Sequence, residues 1–334
     1  MHREKYVGIL SDEKFPRISL EYDFSGHGSA RDAEEFGRRI RKQNPTIIGI
    51  EFVDHKTEYK KFFNDIAAGR RSPAEISFED AGHPEFVRQL FWEIHNVKVP
   101  ILLLDLPADA EFAKEARAAM VRFADFPREV AENAVPFDEA LVQFADMMRE
   151  YIESSRLREK HSMTILEETL AHLIATDERF KKLKNIKVAI LYGAAHSAMA
   201  HEGRREYGDS EMHVHPSPFI FSPRDEMCRL LALGKEVPQP VLEHALIDHM
   251  TGTVVTQALT WLHLPQGDSK SMAIHRAIIT SFTPEEIRTL YTQYSNKDTQ
   301  KTAVTFLVAR IVSVLKERGY QVPEEMGQFG ILQK

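Results

Sequence analysis

The sequence predicts an α/β fold, a mostly parallel sheet with helices on both faces, followed by an α-helical C-terminal region. Over the first 222 residues, short apolar runs alternate with longer segments whose apolar residues recur at helical spacing. This alternation is typical of a parallel sheet built from β–α units. Beyond residue 222 almost no strand pattern remains. We therefore expect an α/β core over 1–222 and a helical region over 223–334.

The strands of the predicted sheet are short apolar runs bounded by polar or turn residues. Their near-continuous apolar character suits strands that are buried on both faces of a parallel sheet. The predicted strands are Ile18–Phe24, Thr46–Phe52, Val99–Leu104, Ile186–Tyr192 and a short strand within Met212–Phe221.

The predicted helices are segments with apolar residues on one face. In the C-terminal region, Thr283 has the properties of an N-cap and Pro284 those of a first helical residue. A further helix there is expected to stop at Gly319, as glycine commonly follows a helix C-terminus. The predicted helices are 32–43, 84–96, 108–122, 127–158, 164–183, 197–207 and 303–318.

Composition narrows the classes of function. The chain has 334 residues and a net charge of −7, which disfavours a nucleic-acid-binding surface as its main function. The single cysteine, Cys228, excludes an intramolecular disulfide and a cysteine-rich metal site. No run of 18 apolar residues predicts a membrane span, and the N-terminus lacks the pattern of a signal peptide. We expect a cytoplasmic protein without membrane or nucleic-acid partners.

Chemically capable side chains follow four of the predicted strands. His27 follows the first, Glu51 ends the second, Asp105 ends the third and His196 lies just after the fourth. In open α/β sheets, ligands bind beyond the carboxyl ends of the strands. Any one of these residues could simply cap a helix or pair with a neighbour, but four at one edge favour a functional site.

Two imidazoles and a carboxylate form a donor set for a divalent ion. His27, His196 and Glu51 are the predicted ligands, and manganese, cobalt, zinc and iron all accept such donors. The alternatives are ordinary: His27 could bond to backbone in its turn, and His196 could cap a helix. Glu51 would need a cation or a hydrogen-bonding partner if buried, and either a metal or an arginine would serve. Asp105 is expected to cap or orient.

The spacing of these pieces resembles the TraB/TIKI superfamily, whose wider relatives include ChaN-like haem-binding proteins and erythromycin-esterase-like hydrolases. That family carries a Gly-x-x-His after its first strand, a glutamate ending the second, an aspartate-bearing third strand, an arginine in a late helix and a second Gly-x-x-His. The matching pieces here are His27, Glu51, Asp105, Arg158 and the intact motif Gly193-Ala194-Ala195-His196.

The resemblance covers roughly residues 15–202 and shows four departures. The first motif reads Phe24-Ser25-Gly26-His27, so its glycine is shifted. Leu106 replaces the arginine that commonly follows the aspartate, and Arg158 is one residue out of register with Met163. The membrane segments of the family's better-known branches have no counterpart.

The resemblance implies a metal-dependent hydrolase, peptidase- or esterase-like, that cleaves an amide or ester bond in a small molecule or peptide. His27 and His196 would be metal ligands, and Glu51 a ligand or the general base. Arg158 would hold substrate or stabilise an oxyanion, which suits its permanent charge and forked donors. Asp105 would orient another side chain.

Two other interpretations use the same fold. A non-catalytic, haem-binding-like protein could take an axial ligand from Tyr22, Tyr192 or the site histidines. A regulatory protein could use its helical C-terminal region to bind a partner or a second copy of the chain, forming a homo-oligomer. In the plainer reading, that region covers its own core. Structural roles are then expected for four C-terminal histidines, His244, His249, His263 and His275.

Overall fold

The chain forms two compact units. One comprises Met1–Glu115 and Ser154–Ser217, and the other Ala116–Glu153 and Pro218–Lys334. In this division, residues 116–153 group with the C-terminal helices. The computed structural model describes residues 16–25, 29–52, 58–75, 84–105, 111–193, 196, 199–200, 212–215, 220–260, 262–264, 269–296 and 298–322.

The first unit contains a five-stranded sheet in the order β3-β2-β4-β1-β5. Every paired strand in it is parallel, which confirms the predicted α/β class. Each strand falls within or beside an apolar run identified in the sequence. The strands are β1 (Arg17–Ser25), β2 (Ile47–Ile50), β3 (Ile101–Leu103), β4 (Asn185–Gly193) and β5 (Met212–His215).

Helices account for most of the remaining described chain. They are α1 (Ala30–Gln43), α2 (Glu58–Ala67), α3 (Pro84–Ile94), α4 (Glu111–Glu132), α5 (Phe137–Thr176), α6 (Glu178–Lys181), α7 (Pro223–Ala232), α8 (Gln239–Thr260), α9 (Ser269–Thr280), α10 (Pro284–Tyr294) and α11 (Gln300–Glu317).

Two of the gaps expected between helices are wrong. α4 continues through the gap expected at 123–126 and ends at Glu132, within the helix predicted over 127–158. Separate helices were expected over 127–158 and 164–183, but α5 is a single 40-residue helix that continues through the expected gap. Two polar residues of that expected gap, Glu159 and Ser162, are buried. The helix expected over 197–207 lies almost wholly outside the described residues, and 199–200 are helical.

Helices cover both faces of the sheet. Leu191 of β4 packs into a buried cluster with residues of α1, α2 and α3, including Phe36, Phe63 and Leu90. The next residue, Tyr192, points to the opposite face, because successive strand side chains alternate. There its hydroxyl lies 2.7 Å from Ser162 Oγ of α5.

The strand order brings particular strand ends together. β1 and β4 are neighbours, yet the chain leaves β1 toward β2 and leaves β4 toward β5, in opposite directions along the sheet. Such a reversal creates a crevice at the carboxyl ends of the strands, where ligands of α/β proteins bind. β2 lies beside β4 and β3 lies beside β2, so the residues that follow these strands can reach the crevice.

The second unit is built from helices. A capping box at Thr283 and Pro284 begins α10, as predicted, because the threonine side chain and Glu286 bond each other's backbone N–H groups. Cys228 is a buried, free thiol, as expected for a small core residue. Among the described helices, none combines the length and apolar character needed to cross a membrane.

Candidate functional site

The structure brings together four of the five residues predicted for the site. Glu51 follows β2, Asp105 follows β3, His196 follows β4 and Arg158 lies on α5. All four belong to the first unit. The fifth, His27, lies outside the described residues.

The Glu51 carboxylate is the centre of the arrangement. Its Oε2 accepts a hydrogen bond from the Gly193 backbone N–H at 2.5 Å. Its Oε1 lies 3.3 Å from Arg158 Nη2 and 3.3 Å from His196 Nε2. The sequence left open whether a metal or an arginine would pair with the buried Glu51. The structure supplies an arginine, Arg158, as one of its partners.

Gly193 leaves room for this close approach. A Cβ at position 193 would lie 2.9 Å from Glu51 Oε2 and 3.6 Å from His196 Cδ2. A contact of 2.9 Å would force the carboxylate to move, so the glycine of the Gly-Ala-Ala-His segment has a steric explanation. It lets the carboxylate at the end of β2 reach the backbone at the end of β4.

Arg158 and Asp105 form a bidentate ion pair. Arg158 Nε donates to Asp105 Oδ1 at 3.2 Å, and Nη2 donates to Oδ2 at 2.7 Å. Burial alone would lower the pKa of Arg158, but the nearby Asp105 and Glu51 carboxylates raise it above its usual value. The guanidinium therefore stays charged. Its Nη1 makes no hydrogen bond within the described part of the chain.

His196 is held at both ring nitrogens. Nδ1 lies 2.8 Å from Glu159 Oε1, and Nε2 faces Glu51. The residue is 4% exposed. Burial lowers the pKa of His196, but hydrogen bonds and charge from Glu159 and Glu51 outweigh it and raise the pKa to about 9. The imidazole thus lies between two carboxylates, those of Glu159 and Glu51, and is more than a cap at the end of β4.

The sequence interpretation missed Glu159, Ser162 and the role of Tyr192. Ser162 Oγ donates to the Arg158 carbonyl at 3.0 Å and pairs with the Tyr192 hydroxyl. The Tyr192 ring meets the His196 ring edge-on at 5.0 Å. Burial raises the pKa of Tyr192 well above 10, so its hydroxyl stays protonated. The sequence did offer one signal for Glu159 and Ser162: both are polar and lie within about one helical turn of Arg158, which was already a candidate.

The donor atoms fit part of a divalent metal site. Among the described residues, no group of three His, Cys, Asp or Glu side chains is arranged to hold a metal ion. Two donors are adjacent, however: His196 Nε2 and Glu51 Oε1 are 3.3 Å apart. Two ligand atoms ~2.1 Å from a tetrahedral zinc ion lie ~3.4 Å apart. The Glu159 contact to Nδ1 is also the usual way in which a metal-binding histidine is oriented.

The tyrosines considered as haem ligands both contact α5. Tyr22 and Tyr192 are fully buried. The Tyr22 hydroxyl contacts Met163 Sδ at 3.3 Å, and the Tyr192 hydroxyl pairs with Ser162. Each phenol oxygen is therefore engaged with a side chain of α5.

Comparisons with protein family models, curated proteins and solved structures found no match to this chain. The TraB/TIKI resemblance accordingly stays a prediction that depends on the motifs alone.

Proposed function

We propose that the protein is a metal-dependent hydrolase acting on an amide or ester bond. The observation that carries this proposal is the pair His196 Nε2 and Glu51 Oε1, 3.3 Å apart, with Nδ1 of the same ring held by Glu159. Glu51, Asp105 and Glu159 also supply three carboxylates against the positive charges of Arg158 and protonated His196, which leaves a net negative charge. A cation bound at His196 Nε2 would take the place of the proton there.

In this proposal His196 and Glu51 hold the cation, with His27 as the expected third ligand. A bound divalent cation supplies Lewis acidity, which makes water a better nucleophile and polarises a carbonyl group. Glu159 fixes the orientation of the His196 ring. Gly193 keeps the Glu51 carboxylate close to the end of β4 through its N–H group.

Arg158 has the substrate-binding role. Asp105 engages Nε and Nη2 and so fixes the plane of the guanidinium. The remaining Nη1 is available to a substrate carbonyl oxygen, where a fixed positive charge stabilises the negative charge that develops during hydrolysis. Asp105 is therefore a positioning residue.

Activity assays with peptide and ester substrates test the proposal. The full chain, incubated with manganese, cobalt or zinc, should hydrolyse at least one member of an aryl-ester and aminoacyl-amide panel. His196→Ala should abolish this activity, while His172→Ala, an exposed histidine on α5, should leave it intact. Equal activity in the two variants would exclude the proposed site.

Glu51→Gln separates the two roles proposed for Glu51. Glutamine retains an oxygen but cannot accept a proton from water. If Glu51 is chiefly a ligand, the variant loses metal and activity together. If it is the general base, metal content is retained while hydrolysis is lost. A variant that keeps both would contradict either role.

A further inference from the structure

The second unit contains a cavity of about 330 Å³. It is separate from the candidate site, which lies in the first unit. Its volume is at the lower end of the range for small-molecule sites, ~300–1,000 Å³. Apolar side chains line part of the wall, and polar lining residues include Arg224, Thr253, Gln257, Ser271 and His275.

Arg224 places a positively charged guanidinium at this cavity, and this group makes no hydrogen bond to the described residues. Its guanidinium is 4.0 Å from the nearest oxygen of Asp225 and lies over the Phe123 ring at 5.6 Å. Within the described ranges, no side-chain hydrogen bond is made by its forked N–H groups. Such a fork pairs best with a planar or tetrahedral oxyanion, as in a carboxylate or phosphate.

Asp248 holds the second polar group of the cavity in place. It is 2% exposed, and its Oδ1 accepts a hydrogen bond from His275 Nε2 at 2.6 Å. Its Oδ2 accepts from the Arg224 backbone N–H at 3.1 Å. Asp248 therefore fixes both the His275 ring and the backbone of the residue that carries the guanidinium. His275 Nδ1 has no hydrogen-bond partner among the described residues.

Two further lining residues, His249 and Gly252, affect the charge of the cavity and the room inside it. His249 also lines it, and burial together with the nearby Arg224 lowers the pKa of His249 to about 4, so this ring is neutral at pH 7. Gly252 lies against the buried pair: a Cβ there would be 3.3 Å from Asp248 Oδ1 and 3.7 Å from His275 Cε1. Arg224 is thus the permanent cation of the lining, and it is also attracted to the Asp225 and Asp248 carboxylates there.

We infer that this cavity binds a small organic molecule through an oxyanion group, a carboxylate or a phosphate, paired with the Arg224 fork and oriented by a second polar contact to His275. The structural roles expected for the C-terminal histidines apply to His244, whose ring nitrogens contact the Pro240 and Phe282 carbonyls. His275 also has a structural contact, the bond from its Nε2 to Asp248, but its ring lines the cavity as well.

Binding measurements with defined anions test the inference. The full chain is screened by thermal shift against C3–C6 hydroxy acids and dicarboxylates in one arm and their phosphorylated counterparts in the other, and hits are titrated by calorimetry. We expect saturable binding in at least one arm, which also identifies the oxyanion. Arg224→Gln should weaken it at least about tenfold, since a charge-assisted bidentate pair is lost.

Arg229→Gln is the matched control, because it removes an exposed arginine from the same helix outside the cavity. Its affinity should stay within about twofold of the wild type. If Arg224→Gln does not fold, Arg224→Lys keeps the charge but loses the fork, and Gly252→Ala keeps all charges but crowds the wall. Both should weaken binding. Absence of binding in both arms, or equal affinity in the Arg224 variants and the control, would overturn the inference.

Discussion

Substitution of Asp248 by asparagine tests how much the buried, ionised carboxylate contributes to the stability of the helical unit. Burial alone would raise the pKa of Asp248, but the hydrogen bond and charge of His275, the charge of Arg224 and a Ser222 hydrogen bond lower it from 3.8 to about 2. A carboxylate whose pKa is lower in the folded state stabilises the fold above its unfolded pKa. This stabilisation is lost as the pH falls from about 4 through about 2.

The size of the effect follows from the two pKa values. A fall from 3.8 to about 2 corresponds to about 2 kcal/mol of unfolding free energy at pH 7. Asp248→Asn should lose at least this amount, because an amide has one acceptor oxygen where the carboxylate accepts from both the Arg224 N–H and His275 Nε2. The difference in unfolding free energy between the wild type and Asp248→Asn should be smaller by about 1 kcal/mol at pH 3 than at pH 7. At pH 3, half or more of the stabilisation by the Asp248 carboxylate remains.

Urea unfolding followed by circular dichroism at pH 7, 5 and 3 measures this difference. Asp298→Asn is the control, since Asp298 is exposed and should change stability by less than about 0.5 kcal/mol. A difference for Asp248→Asn below about 0.5 kcal/mol at pH 7, or one that does not become smaller toward pH 3, would refute the reasoning.

Three further predictions concern other buried groups. Arg158→Met should cost about 3–5 kcal/mol of unfolding free energy, since it leaves the buried Asp105 without its cation. The control Arg179→Met removes an exposed ion pair and should cost under about 1 kcal/mol. Equal losses of the two variants in urea unfolding would contradict this prediction. Glu159→Gln should weaken metal binding by about 10–100-fold in a chelator competition, whereas Glu168→Gln, exposed on the same helix, should not. Burial raises the pKa of Cys228 to about 12, so this thiol should resist a disulfide reagent at pH 8 in the folded protein and react in urea; rapid native labelling would be inconsistent with the structure.

Much of the fold could be predicted because its strands are apolar runs of distinctive length. β1 to β4 all fall within or beside predicted runs, and the capping box at Thr283 is local chemistry visible in the sequence. The continuity of α5 could not be predicted in this way. The apolar pattern was divided there into two helices, and only the packing of the helix on the sheet shows that Glu159 and Ser162 are buried.

The candidate site was predictable where parallel strands end. Glu51, Asp105 and His196 were found because the carboxyl ends of such strands share one edge. Their pairing was not predictable, since the sequence does not reveal that Arg158 joins Asp105 to Glu51 or that Glu159 holds His196. These contacts link segments about 40 to 110 residues apart and depend on how α5 lies on the sheet.

The metal content of the purified full chain tests the central claim most directly. Wild type, His196→Ala and His172→Ala are incubated with manganese, cobalt or zinc, freed of excess ion and analysed by plasma mass spectrometry, with circular dichroism to verify folding. The account predicts close to one equivalent of metal in the wild type and in His172→Ala, and its loss in His196→Ala. No metal in the wild type, or the same content in folded His196→Ala, would contradict a metal centre at Glu51 and His196.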